Sequence, residues 1–86
     1  MTAIDRGKCD DLLARIWQET LDVPAIKLED DFFDLGGNSI LALMIVSQVR
    51  DAFAVEVPVS ALANAPTFAD FAEFVELAIE AQREDG

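Results

Sequence analysis

Residues 31–53 read DFFDLGGNSILALMIVSQVRDAF, and the stretch changes character at Ser39. Before it come an aromatic pair, acids and two adjacent glycines; after it comes an apolar run with helical spacing. At about 100° per residue, Ala42, Ile45, Val46, Val49 and Phe53 fall on one stripe, the i, i+3, i+4, i+7 pattern of a helix packed on a core. Ile40, Leu43 and Met44 gather on a second stripe far round the helix, and Leu41 lies between the two. A helix over residues 39–53 that is apolar on two sides is either wholly enclosed or shows one side to a partner. Enclosure is hard to arrange in a domain with so few helices. The second stripe therefore reads as an interaction surface beside Ser39, the alternative being that Ile40 or Leu43 packs beneath the preceding loop.

Working outward, residues 10–21 predict a first helix, with Leu13, Ile16, Trp17 and Thr20 on one face and Arg15, Gln18 and Glu19 elsewhere. Asp10 and Asp11 suit its positive N-terminal end. Cys9, four residues before Leu13, is expected on the same apolar face as a small hydrophobe. Pro24 ends the helical pattern. Residues 22–38 form a long loop, of the kind that tends to be functional in a small domain, anchored on the core by Phe32, Phe33 and Leu35. Ile26 and Leu28 alternate with Lys27 and Glu29 too briefly to make a strand. FAVEVPV, at 53–59, alternates without a pairing partner and reads as an extended connection with Val55 and Val57 turned inward. A short turn follows near 60–63, with Ser60 as its cap. The last helix opens at PTFAD, where Thr67 is the N-cap and Asp70 completes a variant capping box. Phe68, Phe71, Ala72, Val75 and Ile79 form its core face, broadened by Phe74 and Leu77. The expected fold is all-α: a small bundle of three main helices plus one short helix. It forms one domain over 1–86, with a helical core at about 10–82 and short flexible ends.

Composition narrows the function. The 17 acids and 6 bases give a formal charge of −11, which repels phosphates and argues against nucleic acid and anionic membrane as partners. The charge favours basic docking patches on other proteins, or serves solubility alone. Without histidine and with Cys9 as the single cysteine, neither an internal disulfide nor a zinc cluster can be assembled. The N-terminus, MTAIDRGKCDD, has no signal-peptide core, and no apolar run is long enough to span a bilayer. A cytoplasmic location is expected. The initial methionine and the end soon after the last helix suggest a stand-alone protein, an excised module with a trimmed start being the alternative, and nothing argues for more than a monomer.

Ser39 is then the residue to explain. As a nucleophile it needs a base, and the chain has no histidine. The G-x-S-x-G elbow fails because Leu41 stands at the last glycine position. A GxxxxGK phosphate loop is absent. A calcium loop built on Gly36 puts Phe33 and Leu35 at ligand positions, and one built on Gly37 starts at Phe32. A lone serine here reads as a helix N-cap, although Ala42 at the third helical position supplies no capping box. The glycines offer the other reading: a tight turn that presents Ser39 beside free N–H groups suited to a phosphate. On that reading the serine is exposed with nothing in this chain to activate it, so its chemistry comes from another protein.

This constellation resembles the peptidyl carrier proteins of nonribosomal peptide synthesis, within the acyl-carrier-protein-like superfamily. Their pattern is FFDLGG, usually His or Asp, then the serine that bears 4′-phosphopantetheine; here FFDLGG is followed by Asn38 and Ser39. LARIW at 13–17, VRDAF at 49–53, VEVP at 55–58 and APTF at 65–68 resemble other parts of the family, so the likeness covers most of the chain. Fatty-acid carriers share the fold and the serine but show DSL after a single glycine. This chain departs from the pattern at Asn38, at Ala63, where the short helix often carries Phe, and at Ala54, where a frequent Gly is replaced with little expected consequence.

The resemblance implies that Ser39 is the attachment residue, supported by Gly36, Gly37 and Asn38. A phosphopantetheinyl transferase would install the arm from coenzyme A, using Mg²⁺ that this chain does not bind. The arm's thiol would hold an aminoacyl or acyl group as a thioester. The implied partners are an adenylating enzyme and condensation, tailoring or thioesterase enzymes of an antibiotic-type pathway. Ile40, Leu43 and Met44, with Leu62 and Ala63, would contact them, and the carrier itself would catalyse nothing. Two alternatives stand beside this. One is an acyl carrier of a polyketide or fatty-acid route, distinguished by loading from an acyltransferase. The other is an unmodified helical interaction module in which Ser39 is only a cap.

Overall fold

The bundle closes around one indole. Trp17 is fully buried and meets Phe32 and Phe68 edge-on, at centroid distances of 5.7 and 5.2 Å, and Phe71 in a tilted contact at 5.8 Å. Edge-on and tilted contacts suit the opposite charges of ring edge and ring face, and each is worth about 0.5–1.5 kcal/mol beyond area burial. They offset the buried Trp17 Nε1, which has no hydrogen-bond partner among the described residues, a loss of about 1–3 kcal/mol. The computed structural model describes residues 6–84, with side chains over 10–82. Its elements are α1 (Arg6–Leu21), α2 (Ser39–Phe53), α3 (Ser60–Asn64) and α4 (Phe68–Glu84). Strand-like pairing among the described residues is limited to an isolated antiparallel bridge between Asp31 and Thr67.

The all-α architecture and the bounds of α2 agree with the sequence pattern. Leu13 and Ile16 of α1, Ala42, Ile45 and Val49 of α2, and Phe71, Ala72 and Val75 of α4 are buried together. Val55 and Val57 are tucked inward from the extended connection, as their alternation predicts. Gln48 Nε2 donates to Thr20 Oγ1 at 2.8 Å and joins α2 to α1 at a half-buried position. The long loop is held by backbone bonds to the head of α4. Phe32 N–H donates to the Pro66 carbonyl at 2.7 Å, Phe68 N–H to Asp30 O at 2.9 Å, and Ala69 N–H to Leu28 O at 2.9 Å. The loop thus supplies acceptors to N–H groups that have no partner inside α4. Thr67 Oγ1 accepts from Asp70 N–H at 3.3 Å, the expected cap.

Several elements differ from expectation. Helix α1 starts at Arg6, so Asp10 and Asp11 lie past its first turn, where the dipole no longer favours them. The expectation for the Cys9 side chain falls outside the described side chains. Helix α1 ends before Pro24, because Asp22 turns left-handed (φ 57°) and Val23 N–H reaches back to Gln18 O at 3.1 Å, a Schellman closure. Ser60 is the first residue of α3, and Val59 holds the cap position without a side-chain bond. Phe74 and Leu77 are 38% and 58% exposed. At about 100° per residue Leu77 falls opposite Phe68 and Phe74 at the margin of the core face, and the half-buried Ala78 and Ile79 extend that face instead. Phe33 is also exposed, at 50%, because its neighbour Phe32 takes the inward direction.

Helix α2 ends on Ala54, left-handed at φ 58° and ψ 40°, with its N–H on Arg50 O at 2.9 Å. The Ala54 carbonyl accepts from Gln82 Nε2 at 2.7 Å and ties this end to α4. A Cβ in that conformation costs about 1–2 kcal/mol, so the alanine is not neutral here. Ala54→Gly should stabilise the protein by about 0.5–1 kcal/mol after glycine's greater unfolded-state freedom is subtracted, raising the melting temperature by a few degrees (~4–8 °C per kcal/mol). Thermal and denaturant unfolding check this, and a loss of stability would show that the αL cap carries no strain.

Candidate functional site

The turn before α2 is built from its own polar side chains. Asp31 Oδ1 accepts from the N–H of Phe33 at 2.8 Å and of Asp34 at 3.1 Å, which curls the chain back on itself. Leu35 N–H then bonds to Asp31 O at 3.0 Å, Gly36 N–H to Phe33 O at 3.1 Å, and Gly37 N–H to Phe32 O at 2.9 Å. Gly36 has φ 98°, a conformation open to glycine and strained for other residues. Gly37 is glycine for a different reason: a Cβ there would overlap the Phe32 ring, 2.5 Å from Cζ and 2.6 Å from Cδ2. The backbone therefore passes directly over the ring that plugs the core.

Asn38 completes the turn. Its Oδ1 accepts from Leu41 N–H at 3.0 Å and its carbonyl from Ala42 N–H at 2.8 Å, with the backbone extended (φ −151°). Asn38, rather than Ser39, is the cap. Ser39 is the first residue of α2, exposed, with its hydroxyl not needed by the helix. The N–H groups of Ser39 and Ile40 keep no partner among the described residues. A helix head with free N–H groups favours an anion, so a phosphodiester on Ser39 Oγ fits what surrounds it.

Around Ser39 the predicted surface divides. Ile40, Leu43 and Met44 are 70%, 56% and 46% exposed, so none packs beneath the loop. Leu41 is half-buried against the core. Leu43 and Met44, with Ser47 and Gln48, line a broad open hollow. Ala63 is exposed, but Leu62 is 1% exposed. The Leu62 side chain is directed into the core by the short α3 and supports the face from beneath, so it offers no surface to a partner. Sequence reasoning missed Phe33, which together with Ser39, Val59, Leu62 and Ala63 lines a second hollow of about 90 Å³. The signal was the FF pair inside a tight turn, where two successive rings cannot both point inward. Among the described residues no group of three His, Cys, Asp or Glu side chains could hold a metal ion, and no helix is long and apolar enough to cross a membrane.

Residues 11–75 match the family model described as phosphopantetheine attachment site. The chain belongs to that family. It is 44% identical over 73 residues to tyrocidine synthase 3 of Brevibacillus parabrevis, covering 85% of this chain and 1% of that protein. To surfactin synthase subunit 2 of Bacillus subtilis it is 39% identical over 75 residues, covering 87% of this chain and 2% of that protein. The chain thus corresponds to a small segment of these relatives. Among solved structures it resembles BlmI, a type II acyl carrier protein from Streptomyces verticillus involved in bleomycin biosynthesis (32% identity, TM-score 0.79, 84% of this chain and 87% of that one). It also resembles a chain of the complex of the phosphopantetheine transferase Sfp with coenzyme A and a peptidyl carrier protein (32% identity, TM-score 0.74, 90% and 95%). The family is homologous to the peptidyl carrier domains of nonribosomal peptide synthesis, carries 4′-phosphopantetheine and is in general non-catalytic.

The packing of Phe32 under Gly37 yields a prediction. Gly37→Ala should destabilise the protein by about 1–3 kcal/mol through overpacking. In a Phe32→Leu background the added cost should be clearly smaller, a coupling that denaturant unfolding of the four proteins measures. Additive losses would show that the glycine serves the backbone alone.

Proposed function

We propose that Ser39 carries the 4′-phosphopantetheine arm and that this chain delivers the attached group between the enzymes of a nonribosomal peptide pathway. The single observation that carries the reading is the exposed, unengaged Ser39 hydroxyl on an uncapped pair of N–H groups, which lies within the residues that match the attachment-site family. A phosphopantetheinyl transferase supplies the base and Mg²⁺. The Ser39 Oγ forms a bond to the phosphorus of coenzyme A next to the pantetheine, the pyrophosphate bond breaks, and adenosine 3′,5′-bisphosphate leaves, while the serine proton passes to the transferase. When bound, the arm supplies a terminal thiol that holds an aminoacyl or acyl group as a thioester.

This chain's residues position and present. Gly36 and Gly37 form the turn, Asn38 caps α2 so that Ser39 stays free, and the helix head favours the phosphodiester charge. Ile40, Leu43 and Met44, with Ala63 at the edge, form the apolar face that the transferase, an adenylating enzyme and condensation, tailoring or thioesterase enzymes would grip in turn. The chain itself catalyses nothing, and the cytoplasm, where coenzyme A and these enzymes are found, is its proposed location.

Incubation with coenzyme A, Mg²⁺ and a promiscuous phosphopantetheinyl transferase should add one phosphopantetheinyl group to an apo sample, read by intact mass. Ser39→Ala should gain nothing. No gain in the folded wild-type protein would leave the motif a helix-head turn and the chain an interaction module. Alanine at both Leu43 and Met44 should lower loading at limiting carrier by about tenfold or more, as expected for truncating two apolar contacts, without loss of fold by circular dichroism. Unchanged loading and unchanged transfer would remove these two residues from the partner face.

A further inference from the structure

Large apolar side chains left in water gather at two places. Phe33, Ile40, Leu43 and Met44 lie about Ser39 and along α2, and Leu28, Phe74 and Leu77 lie on or beside α4, with Leu12 of α1 standing apart. Leu28 sits at the head of α4, where its carbonyl accepts from Ala69 N–H. Phe74, Leu77 and Ala81 follow at i, i+3 and i+7, all exposed. At about 100° and 1.5 Å per residue they form one ridge about 10 Å long. Helix α1 packs on both α4 and α2, since Trp17 meets Phe68 and Phe71 and Thr20 accepts from Gln48. Neither the hollow beside Ser39 nor the one along Met44 has a residue of α4 in its lining. The ridge is thus a second exposed apolar surface, on a different helix from the first.

The charge around this ridge is of one sign. Residues 68–82 contain Asp70, Glu73, Glu76 and Glu80 and no base. Asp70, Glu73 and Glu80 are exposed, as is Glu29 beside Leu28, while Lys27 is the base that adjoins the head of the ridge. The carboxylates of Asp70, Glu73 and Glu80 make no ion pair with any described residue. Two copies of the chain docked through α4 would set these acids against one another, so a second copy does not fit. We propose that the outer face of α4 is a docking surface for a basic amphipathic helix of a partner protein. Apolar residues at i, i+3, i+4 and i+7 of that helix lie along Phe74, Leu77 and Ala81, and lysines or arginines on its flanks meet Asp70, Glu73 and Glu80. A helix suits the ridge because rows of this spacing interdigitate with similar rows on another helix, whereas a strand repeats every two residues. The surface goes beyond the arm-bearing role proposed for Ser39 and does not depend on it. Combined with that role, it would hold the chain within an assembly while the α2 face stays open to successive enzymes.

The test titrates the isotope-labelled full chain with three synthetic peptides of about 16 residues, long enough to form a helix. One has a leucine row flanked by lysines, one has the same row flanked by glutamates, and one is a scrambled form of the first. Saturable NMR shift changes are expected with the lysine-flanked peptide alone, centred on Phe74, Leu77 and Ala81 and absent from Ile40, Leu43 and Met44. Phe74→Ser combined with Leu77→Gln should weaken that binding by about tenfold or more. Glu73→Lys combined with Glu80→Lys, both at exposed positions, should turn the preference towards the glutamate-flanked peptide, and keeps the test decisive if the first pair fails to fold. Equal binding of the scrambled peptide, shifts centred on the α2 face, no saturable binding, or self-association of the chain through α4 in sedimentation overturns the proposal. A chain that binds the peptide on α4 but takes no phosphopantetheinyl group at Ser39 upholds the docking surface and overturns the function proposed above.

Discussion

The ring of Phe32 is the piece on which the rest of the structure depends. It lies edge-on to Trp17 in the centre of the bundle and directly beneath the Gly37 backbone. One side chain thereby fixes the distance between the core and the turn that opens α2. The turn has no freedom to rise or slide, because Gly37 closes on the Phe32 carbonyl as well as on its ring. Asn38 then caps a helix whose starting point is already set. Ser39 is held in place by a buried ring three steps removed from it, through Gly37 and the Asn38 cap, although no side chain of the core touches its hydroxyl in any bond observed.

The same arrangement explains how a helix can serve two masters in so small a domain. Helix α2 buries Ala42, Ile45 and Val49 and leaves Ile40, Leu43 and Met44 in water. Exposed apolar side chains weaken no core contact, but they invite association. A surplus of acids gives a net charge of −11, which sets copies of the chain against one another while leaving the face open to proteins with basic rims. Apolar contact and charge thus act on different choices: the first holds a partner, the second selects which partners approach.

Much of this was legible in the sequence, and the failures have identifiable physical causes. Periodicity located α2, α4 and the inward valines because each has a long one-sided pattern that packing must respect. The FFDLGGNS motif pointed to Ser39 through the chemistry it lacks as much as through what it has. Legibility failed where two apolar neighbours compete for one direction. Phe32 and Phe33 look alike in sequence, as do Leu62 and Ala63 as members of one face, and only the turn geometry and the length of α3 decide which points inward. Phe74 and Leu77 are more exposed than their pattern suggests because apolar residues at the margin of a core stripe or opposite it carry no mark distinguishing them from residues that widen it. The left-handed Asp22 and Ala54 could not be foreseen, since neither residue type demands that conformation.

Two of these misreadings, at Phe33 and Leu62, fall beside Ser39, which follows from what the site requires. A catalytic centre demands several side chains converging on reacting atoms, and a sequence advertises them by type. On the proposed reading Ser39 needs only to be reachable and to stay where it is, so its supporting residues serve shape and turn geometry rather than reactivity. Gly37 is there for the space it does not fill, and Asn38 for an oxygen that frees its neighbour from capping. On the proposed reading, a domain whose chemistry is supplied by others can thus be specified almost wholly through packing.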